Sequence, residues 1–521
     1  MNKIAIGIYD YGSNENHEAS NLPEGWLEVS IDTVVDLNPP KPPKDFIPTD
    51  SPVTFVPMPA VDAYSGTIIA PEYRLFGAVR KGYTFFHEND VILAKITPCM
   101  ENGKVAIARN LVNGLGFGST EFHVLRSTGA VIPEYLYYYI RQESFRRSAE
   151  AEMTGSVGQR RVPAEFVRNS LLPLPPLAEQ KRIVAKVDEL LTRVNAAREH
   201  LAKVQEILKR FRQSVLAAAC SGGLTEKWRK DHPNLQTATK LIKKVHLNEK
   251  KRYLQACKDS KKTGEKKPKK PPLLQLEEIT PHPEISTWAI LKMDHAFRPG
   301  DLFDGPFGSN LKTSDYTKNG VRVIRLENIG VLSFIDEKKR YISKKKYQDL
   351  KKHTVEEGDL IFASFISEDV RAVVLPEIEK AIAKADCFCL RPLVELLENQ
   401  YLSFILSSRQ TYSELVAAIH GATRPRITTK QLRNLKIPLA PLEEQKEIIR
   451  QVDSLFNLSD EIEKRVKSGV ERTEKITQAI LSKAFKGELL TTEAELARQE
   501  DRSYESASLL LSKIKALGND S

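Results

Sequence analysis

Two stretches of the chain decide its architecture, because they match each other without a gap. LPPLAEQKRIVAKVDELL begins at Leu174 and LAPLEEQKEIIRQVDSLF begins at Leu439, an offset of 265 positions (439 − 174). A proline just before a helix and a glycine just after it are the usual start and stop signals. The flanking pairs here are Pro176 with Gly222 and Pro441 with Gly487. The sequence therefore predicts two equivalent helices.

The first predicted helix carries apolar residues in alternating steps of four and three, which is the seam of a coiled coil. Its seam positions are Ile183, Val187, Leu190, Val194, Ala197, Leu201, Val204, Leu208, Phe211 and Val215. The matching positions of the second helix are Ile448, Val452, Leu455, Ser459, Ile462, Val466, Gly469, Thr473, Ile476 and Ile480. The second seam is thinner in its middle, which we interpret as a packing compromise rather than a hinge. Two such helices bury their stripes most simply against each other.

The direction of that pairing follows from the connections. Each helix comes after a segment of about 150 residues, a plausible domain size. An antiparallel pair places the segment that feeds the second helix beside the end of the first, so the domains lie at opposite ends of a rod of roughly 65 Å. Such a pair has an approximate two-fold axis, as duplex DNA has locally. We expect a molecular ruler.

Composition indicates a multidomain protein with one strongly basic segment. The formal charge of the 521 residues is +10, which is typical of a nucleic-acid partner. From Glu226 to Lys270, however, 16 Lys and Arg stand against 5 Asp and Glu, a local +11 that leaves about −1 for the remainder. Phosphate binding by this segment competes with a solvated, disordered tether, and we favour the tether.

Cysteine usage and hydropathy indicate the compartment. The five cysteines show neither metal-ligand spacing nor a disulfide framework, so we expect a reducing cytoplasm. They are Cys99, Cys220, Cys257, Cys387 and Cys389. The last two fall in a predicted strand as buried thiols. No stretch is typical of a signal peptide or long and apolar enough for a membrane span.

Short β-branched and aromatic runs between turn signals predict a mainly β domain before each long helix. The predicted strands are Thr54 to Val56, Thr67 to Ala70, Asp90 to Ile96, Val105 to Ala108, Glu121 to Leu125, Val321 to Leu326, Asp359 to Phe365, Arg371 to Leu375 and Asp386 to Leu390. A helix after Pro133 carries an aromatic stripe that we expect in the core. Another helix is predicted from Gln400 to about Ile419. Short amphipathic helices are predicted at Ala238 to Val245 and Ala507 to Ile514.

The predicted fold is α+β: two mainly β domains with flanking helices, joined by two long helices in an antiparallel coiled coil, as a pseudo-two-fold repeat. The expected segments are an N-terminal arm (1–22), a first domain (23–176), a first long helix (177–222), a short helix with a lysine-rich linker (223–285), a second domain (286–440), a second long helix (441–487) and a C-terminal helix and tail (488–521).

Catalytic motifs are missing from the sequence. It contains no P-loop and no glycine-rich dinucleotide turn. The run Asn38-Pro39-Pro40 is similar to an amino-methyltransferase tetrapeptide, but Lys41 stands where a base-stacking aromatic residue is needed, so we interpret it as a stiff turn. Carboxylate pairs such as Glu443 and Glu444 fall at surface positions or helix starts, where they favour the helix dipole. We expect a non-catalytic chain and disfavour an intrinsic methyltransferase or nuclease.

Several motifs together resemble the specificity subunit of type I restriction–modification systems. They are the LPPLAEQ and LAPLEEQ helix starts, the tandem repeat of domain and long helix, the run Gly116-Phe117-Gly118-Ser119-Thr120-Glu121-Phe122, the run Gly305-Pro306-Phe307-Gly308-Ser309 and the glycine-leucine ends of the long helices. The long lysine-rich segment departs from the compact family pattern, and its path and role stay open.

The resemblance implies a function and a set of partners. Two target recognition domains would each bind one half of a split site in double-stranded DNA, and the two helices would set the gap. Two methyltransferase subunits would dock on the helices and bring S-adenosylmethionine, and motor-nuclease subunits would bring ATP and Mg. The alternative is a coiled-coil scaffold that binds proteins and has no DNA specificity.

Base-contacting candidates come from side-chain chemistry alone. Arg and Lys recognise guanine and Asn and Gln recognise adenine in the major groove. In the first domain the candidates are Lys95, Asn102, Lys104, Gln159, Arg160 and Arg161; in the second they are Ser309, Asn310, Lys312, Arg325, Asn328, Arg424 and Arg426. Each also has a simpler explanation as a surface charge, a phosphate contact or, for Asn102 and Asn310, a turn residue.

Overall fold

The computed structural model describes residues 22–156, 158–272, 279–417 and 426–519. The chain divides into two compact units, one of Met1–Leu201 with Ser468–Ser521 and one of Ala202–Lys467. Each unit combines one mainly β domain with parts of both long helices. The finer division into seven segments stays a prediction. Over the described ranges, no helix has both the length and the apolar character that a bilayer span requires.

Among the described residues of the first half, ten strands and four short helices come before the first long helix. The strands are β1 (Leu27–Ser30), β2 (Val35–Leu37), β3 (Pro52–Val56), β4 (Glu72–Leu75), β5 (Thr84–His87), β6 (Val91–Ala94), β7 (Val105–Ile107), β8 (Leu115–Gly118), β9 (Phe122–Ser127) and β10 (Leu171–Leu174). The helices are α1 (Phe76–Val79), α2 (Pro133–Arg141), α3 (Glu143–Ala151), α4 (Ala164–Asn169) and the long α5 (Leu177–Cys220). The predicted strand at Thr67 to Ala70 is wrong. Only Ile68 pairs, with Val61, and Pro71 next to it has no N–H to continue a ladder.

The second half repeats this plan after two additional helices, α6 (Glu226–Asp231) and α7 (Ala238–Thr263). Its strands are β11 (Thr280–Pro281), β12 (Ala289–Lys292), β13 (Phe297–Phe303), β14 (Tyr316–Thr317), β15 (Val321–Ile324), β16 (Tyr341–Ile342), β17 (Thr354–Val355), β18 (Leu360–Ala363), β19 (Ala372–Val374), β20 (Ala381–Ala383), β21 (Cys387–Pro392) and β22 (Lys436–Leu439). Its helices are α8 (Lys344–Leu350), α9 (Asn399–Leu406), α10 (Arg409–Ala417), α11 (Thr429–Asn434), the long α12 (Leu442–Phe485), α13 (Glu493–Gln499) and α14 (Ala507–Asn519). Cys387 and Cys389 are buried in β21, as predicted.

The two domains share most of their sheet topology despite their different sequences, and the second domain adds one edge strand, β14. An antiparallel sheet of order β2-β9-β6-β7 in the first corresponds to β13-β21-β18-β19 in the second. The other sheet has the order β4-β3-β8-β5 in the first and β14-β16-β15-β20-β17 in the second. In both, the central pair, β3 with β8 and β15 with β20, is parallel. The predicted repeat of two mainly β domains is confirmed.

A two-stranded contact leads into each long helix. β1 pairs antiparallel with β10, and β12 pairs in the same way with β22. Each long helix then runs for 44 residues. It ends two residues before a glycine in the left-handed region, Gly222 at φ 73° and Gly487 at φ 71°. A side chain is strained in that conformation, so glycine closes both helices.

The long helices run antiparallel. In the first unit, Arg198 of α5 pairs with Glu474 of α12 at 2.8 Å. In the second unit, Arg212 pairs with Asp460 and Glu463, both at 2.7 Å. Residue numbers fall along α12 as they rise along α5, so the predicted antiparallel coiled coil is confirmed.

Side chains of α5 occupy the space beside the small residues in the middle of the second seam. A Cβ on Gly469 would lie 3.1 Å from the nearest methyl carbon of Leu201, so the glycine makes room for the leucine. Ser459 is fully buried, and its hydroxyl accepts a hydrogen bond from Arg212 Nε at 3.0 Å. Two predicted seam positions, Ala197 and Ile476, are instead exposed. A straight helix drifts about 20° per heptad from a 3.5-residue repeat, which carries such positions out of the contact.

The helix predicted from Gln400 to about Ile419 is wrong, because the chain forms α9 and α10 with a break at residues 407–408. The Ser408 hydroxyl donates to the carbonyl of Ile405 at 2.8 Å and accepts the N–H of Thr411 at 3.3 Å. Serine competes with the helical backbone in this way and caps a new helix. Residues 418 and 419 of the predicted helix lie outside the described ranges.

The predicted disordered tether is also wrong, over residues 226–263, where α6 and α7 form. The predicted short helix at Ala238 to Val245 is the first part of α7, which continues to Thr263. Ala238, Ile242 and Val245 are buried in the core of the second unit. Their spacing of four and three gives the helix an apolar face that the many lysines conceal in a count of charges.

The aromatic stripe of α2 lies in the core, as predicted. Tyr135 and Leu136 are fully buried, and the Tyr135 hydroxyl donates to the carbonyl of Pro173 at 2.8 Å. Tyr401 of α9 makes the corresponding bond to the carbonyl of Pro438 at 3.1 Å. In each unit a tyrosine thus ties a helix of the domain to the strand that precedes the long helix.

Candidate nucleic-acid interface

A buried glutamine joins the first domain to α5. The side-chain amide of Gln180 donates to the carbonyls of Ala130 at 2.9 Å and Pro175 at 3.1 Å. Its oxygen accepts the N–H of Ile132 at 2.9 Å. Gln180 is fully buried, so these three bonds couple the start of the helix to the domain that precedes it.

Gln445 makes the same three bonds in the second unit. Its amide donates to the carbonyls of Leu396 at 3.0 Å and Ala440 at 2.9 Å, and its oxygen accepts the N–H of Glu398 at 2.9 Å. The glutamine of the repeated LPPLAEQ and LAPLEEQ motifs is therefore a structural coupling between each candidate DNA-reading domain and its helix.

Glu444 beside it corrects a sequence expectation. It lies in the first turn of α12, as predicted, but it is fully buried instead of lying at the surface. Its carboxylate accepts hydrogen bonds from Thr225 Oγ1 and Trp288 Nε1, each at 2.8 Å, and pairs with Arg229. Glu444 therefore supports the packing of α6 on the second domain.

In the first domain the structure brings the candidate loops together. The N–H of Thr97 donates to the carbonyl of Arg160 at 3.0 Å, and that of Val162 donates to the carbonyl of Lys95 at 2.8 Å. The turn that contains Asn102 therefore lies beside residues 158–161 of the basic loop. These loops form one surface at the edge of the sheet β2-β9-β6-β7.

Arg161 holds this surface in place. Its Nε and Nη2 donate to the carboxylate of Glu121, both at 2.9 Å, and its Nη1 donates to the carbonyl of Gln159 at 3.0 Å. The hydrogen bond from Arg161 lowers the pKa of Glu121 below its usual range. With all three nitrogens engaged, Arg161 positions the loop, and its pairing leaves it poorly suited to bidentate guanine recognition.

The other first-domain candidates differ in their exposure and in the partners of their side chains. Lys104 Nζ donates to the carbonyl of Met58 at 3.0 Å, so it also supports the loop. Arg160 lies 3.9 Å from carboxylates of both Glu101 and Glu150. Lys95 is half-buried. Asn102 and Gln159 are exposed, and neither side chain has a hydrogen-bond partner among the described residues.

Arg426 is the second-domain counterpart of Arg161, again 265 positions later. It forms a bridge with Phe365 and pairs with Asp386 at 2.5 Å and Asp304 at 3.8 Å. Burial raises the pKa of Asp304 to about 6. Arg426 lies 5.2 Å above the ring of Phe307, so it too holds a loop in place.

Asn328, a predicted base contact, has a structural role in a turn. It is 1% exposed. Its oxygen accepts the N–H of Arg325, and its amide donates to the carbonyls of Ile335 and Glu337, all at 3.0 Å. Its amide is thus fully engaged in holding a turn. Arg325 is half-buried and pairs with Glu327 at 3.0 Å.

The remaining candidates follow β13. Ser309 and Asn310 belong to a short 3-10 turn, Gly308–Asn310. Asn310 and Lys312 are exposed, so they are available to a ligand. Arg424 lies outside the described residues.

Sequence reasoning missed two second-domain side chains. Phe307 is 47% exposed beneath Arg426, and Lys384 Nζ lies 5.8 Å from the ring of Tyr316. An exposed aromatic residue within the glycine-rich run GPFGS was a usable signal for Phe307. For Lys384 there was none, because its neighbours come from distant parts of the chain. Both domains present exposed amides near an arginine that pairs with carboxylates, and the second domain adds the exposed cations Lys312 and Arg426.

Comparison with known proteins assigns the family. The type I restriction modification DNA specificity domain matches this chain twice, over residues 23–206 and 296–472. The EcoAI specificity subunit of Escherichia coli is 28% identical over 529 aligned residues, covering 91% of this chain and 83% of that protein. The EcoBI specificity subunit of Escherichia coli is 32% identical over 365 residues, covering 70% and 68%.

A solved structure shares the fold. It comes from a study of complex assembly and conformational transition in the type I restriction–modification system. It superimposes with a TM-score of 0.64 at 23% identity, covering 90% of this chain and 99% of the other. Two matched repeats, two matching domain topologies and relatives that align over most of their length agree, and the chain belongs to the type I restriction–modification DNA specificity family.

Proposed function

We propose that this chain is the DNA-specificity subunit of a type I restriction–modification complex, in which each domain reads one half of a split DNA site and the coiled coil sets the gap between the halves. The observation that carries the proposal is the double family match, which covers both repeats of domain and helix. The protein-binding scaffold has no comparable support.

The loops that face outward supply the reading chemistry. Asn102 and Gln159 in the first domain, and Asn310 and Lys312 in the second, are exposed side chains of the types that recognise adenine and guanine edges. Arg161 and Arg426 keep those loops in position through their carboxylate partners. The two domains share a topology but differ in these loops, so each would read a different sequence.

The proposal assigns the chemistry to other subunits. Two methyltransferase subunits would dock on the long helices and carry S-adenosylmethionine, and motor-nuclease subunits would carry ATP and Mg. This chain would contribute recognition and geometry without catalysis, in the cytoplasm where host DNA lies.

The test is to co-express the chain with its neighbouring modification subunits and map N6-methyladenine across the host genome at single-molecule resolution. We expect a split motif with one methylated adenine in each half, on opposite strands. A continuous motif would show that only one domain reads DNA. Absence of methylation from an assembled complex would favour the scaffold.

Matched substitutions then assign the halves. Asn102→Ala is expected to relax the sequence of one half-site, and Asn310→Ala that of the other, because each residue belongs to a different domain. Relaxation of the same half by both variants would contradict the assignment.

A heptad deletion tests the ruler. Removing residues 198–204 together with 467–473 shortens both helices by one heptad in matching register. Seven residues span about 10 Å, so we expect the gap to shorten by about three base pairs while both half-sequences stay the same. An unchanged gap would rule out the helices as its determinant.

A further inference from the structure

The net charge of the chain resides in one helix and the short segment that follows it. From Ala238 to Lys270 there are 12 Lys and 1 Arg against 3 acidic residues, a net +10 (13 − 3). The whole chain carries +10, so all other residues together sum to about zero. The residues assigned above to base reading account for little of this charge.

Helix α7 holds most of these lysines in a fixed arrangement. Thr237 caps its start by accepting the N–H of Lys240 at 3.4 Å, and Gly264 closes its end at φ 72°. Ala238, Ile242 and Val245 are buried against the second domain. Glu249 accepts two bonds from Arg298, at 2.9 and 3.0 Å. The lysines are therefore displayed on a docked helix instead of a loose tether.

Among the described residues, the lysines of this helix form no ion pair with an acidic side chain. All eight are exposed: Lys240, Lys243, Lys244, Lys250, Lys251, Lys258, Lys261 and Lys262. Within the described part of the chain, the ion pairs of α7 all run through Glu249 and Arg252. Like charges three and four residues apart, such as Lys258 with Lys261 and Lys262, destabilise a helix. Helix stability does not explain this pattern, and an anionic partner does.

The position of α7 joins it to the candidate DNA interface. Arg298, which Glu249 holds, lies near the start of the seven-residue strand β13. The other end of that strand leads to Asp304, the partner of Arg426, and to the loop with Asn310. Seven strand residues span roughly 23 Å, while the 26 residues of α7 span about 39 Å, close to one turn of duplex DNA.

We propose that the exposed lysine face of α7 binds the phosphate backbone of duplex DNA outside the bases that the second domain reads. This inference rests on the proposed function and adds a contact that is independent of sequence. Lysine suits the role, because it is a flexible point charge that attracts phosphate without reading a base edge.

Exposed leucines on the same helix offer a competing partner. Leu247 and Leu254 are 54% and 51% exposed, and a protein could dock on them. Eight exposed lysines outweigh two leucines, so charge complementarity favours DNA. The leucines then serve as a control on the same helix.

The test uses the full chain assembled with its modification subunits and two 40-base-pair duplexes, one with the mapped site and one of random sequence. The variant carries Lys251→Gln, Lys258→Gln, Lys261→Gln and Lys262→Gln. A control with equal charge loss carries Lys41→Gln, Lys44→Gln, Lys81→Gln and Lys515→Gln, all exposed and outside the long helices. Affinity is measured at several salt concentrations.

We expect the α7 variant to bind both duplexes about a hundredfold more weakly at 0.1 M salt, with the slope of log K against log salt smaller by about 2, since each phosphate contact contributes about 0.9. The ratio of affinities for the two duplexes should stay the same, and the control with substitutions outside the long helices should bind as the unmodified complex does.

Three results would overturn the inference. The first is an unchanged affinity and salt slope in the α7 variant. The second is a loss confined to the duplex with the site, which would place the lysines in base reading. The third is an equal loss of DNA affinity in a Leu247→Gln, Leu254→Gln variant, which would indicate a protein-docking face. The proposed function has a separate readout, because it fails only if the unmodified complex cannot distinguish the two duplexes.

Discussion

Glu179 and Glu444 occupy the same position in the two repeats, and both are buried at the start of a long helix. Glu444 receives an indole N–H, a hydroxyl and a guanidinium. Glu179 receives the backbone N–H of Glu493 at 2.9 Å, while Trp26 Nε1 lies near it without a hydrogen bond of standard geometry. Burial accordingly raises the pKa of Glu179.

The difference arises from the segments that follow the long helices. After α5, helix α6 brings Arg229 to Glu444. After α12, helix α13 brings the carboxylate of Glu493, and Arg182 and Arg502 pair with that residue instead. A repeated motif therefore preserves the backbone geometry of the junction but leaves its electrostatics to whichever segment packs on it.

Among these variants, Glu444→Gln should cause the largest loss of unfolding free energy. The variant leaves the guanidinium of Arg229, only 15% exposed, without its counter-charge, and breaking a buried pair typically costs about 3 to 5 kcal/mol. Urea unfolding followed by hydrogen exchange in second-unit peptides measures the loss. Glu443→Gln, at the exposed neighbouring position, is the control, and a loss below about 1 kcal/mol in Glu444→Gln would contradict the assigned role.

Gln180→Leu and Gln445→Leu should each destabilise their own unit by about 3 kcal/mol, because buried backbone groups lose their partners. Equal losses would show that the junction is the same in both repeats. Hydrogen exchange of each domain is the measurement, with Lys181→Ala at an exposed position as control. Strongly unequal losses of stability would show that the two junctions are not equivalent.

Asp304 and Glu121 should respond to pH in opposite directions. The raised folded-state pKa of Asp304, about 6, means that its stabilising contribution is present at low pH and is lost as pH rises through about 6. Between pH 4 and pH 7.5, we expect the free energy of unfolding of Asp304→Asn to rise by about 2 kcal/mol relative to that of the unmodified chain. The lowered pKa of Glu121 predicts the reverse for Glu121→Gln.

Unfolding midpoints of both variants at the two pH values test this pair. A parallel pH dependence for Asp304→Asn and Glu121→Gln would show that the two arginine–carboxylate supports have the same electrostatic character after all.

Glu179→Gln should have the smallest effect. Since burial raises the pKa of Glu179, its ionised form is disfavoured in the folded state, and stability is lost as pH rises through the folded pKa. The neutral amide keeps an acceptor for the N–H of Glu493, so we expect a change within about 1 kcal/mol at pH 7, in the stabilising direction. Thermal unfolding measures it, and a loss as large as that of Glu444→Gln would erase the contrast.

The sequence predicted what depends on periodicity and repetition. The seam spacing and the matched helix starts identified both long helices, the chain connections gave their antiparallel pairing, and short β-branched and aromatic runs gave the two β domains. The same reasoning missed most of α7. Its apolar face has one buried residue every three or four positions, and the residues between them are mostly polar and rich in lysine.

Side-chain roles at the candidate site were harder to predict, because they depend on partners far away in sequence. Glu444 bonds Trp288 across 156 positions and Thr225 across 219. Asn328 resembles a base reader in composition, but the turn around it consumes its amide. Local pattern identified the loops, while the freedom of each side chain depends on the tertiary structure.

The bond between Arg212 and Ser459 has a consequence for the accuracy of the coiled coil. An apolar seam of repeating leucines and isoleucines tolerates a slip of one heptad, since each step meets an equivalent surface. A slip here would bury the Ser459 hydroxyl without its donor and separate Arg212 from its two carboxylates. Each heptad corresponds to about 10 Å of displacement. These polar contacts therefore fix a single register of the two helices. The distance that the coiled coil sets depends on Ser459 and Arg212 more than on the apolar stripe.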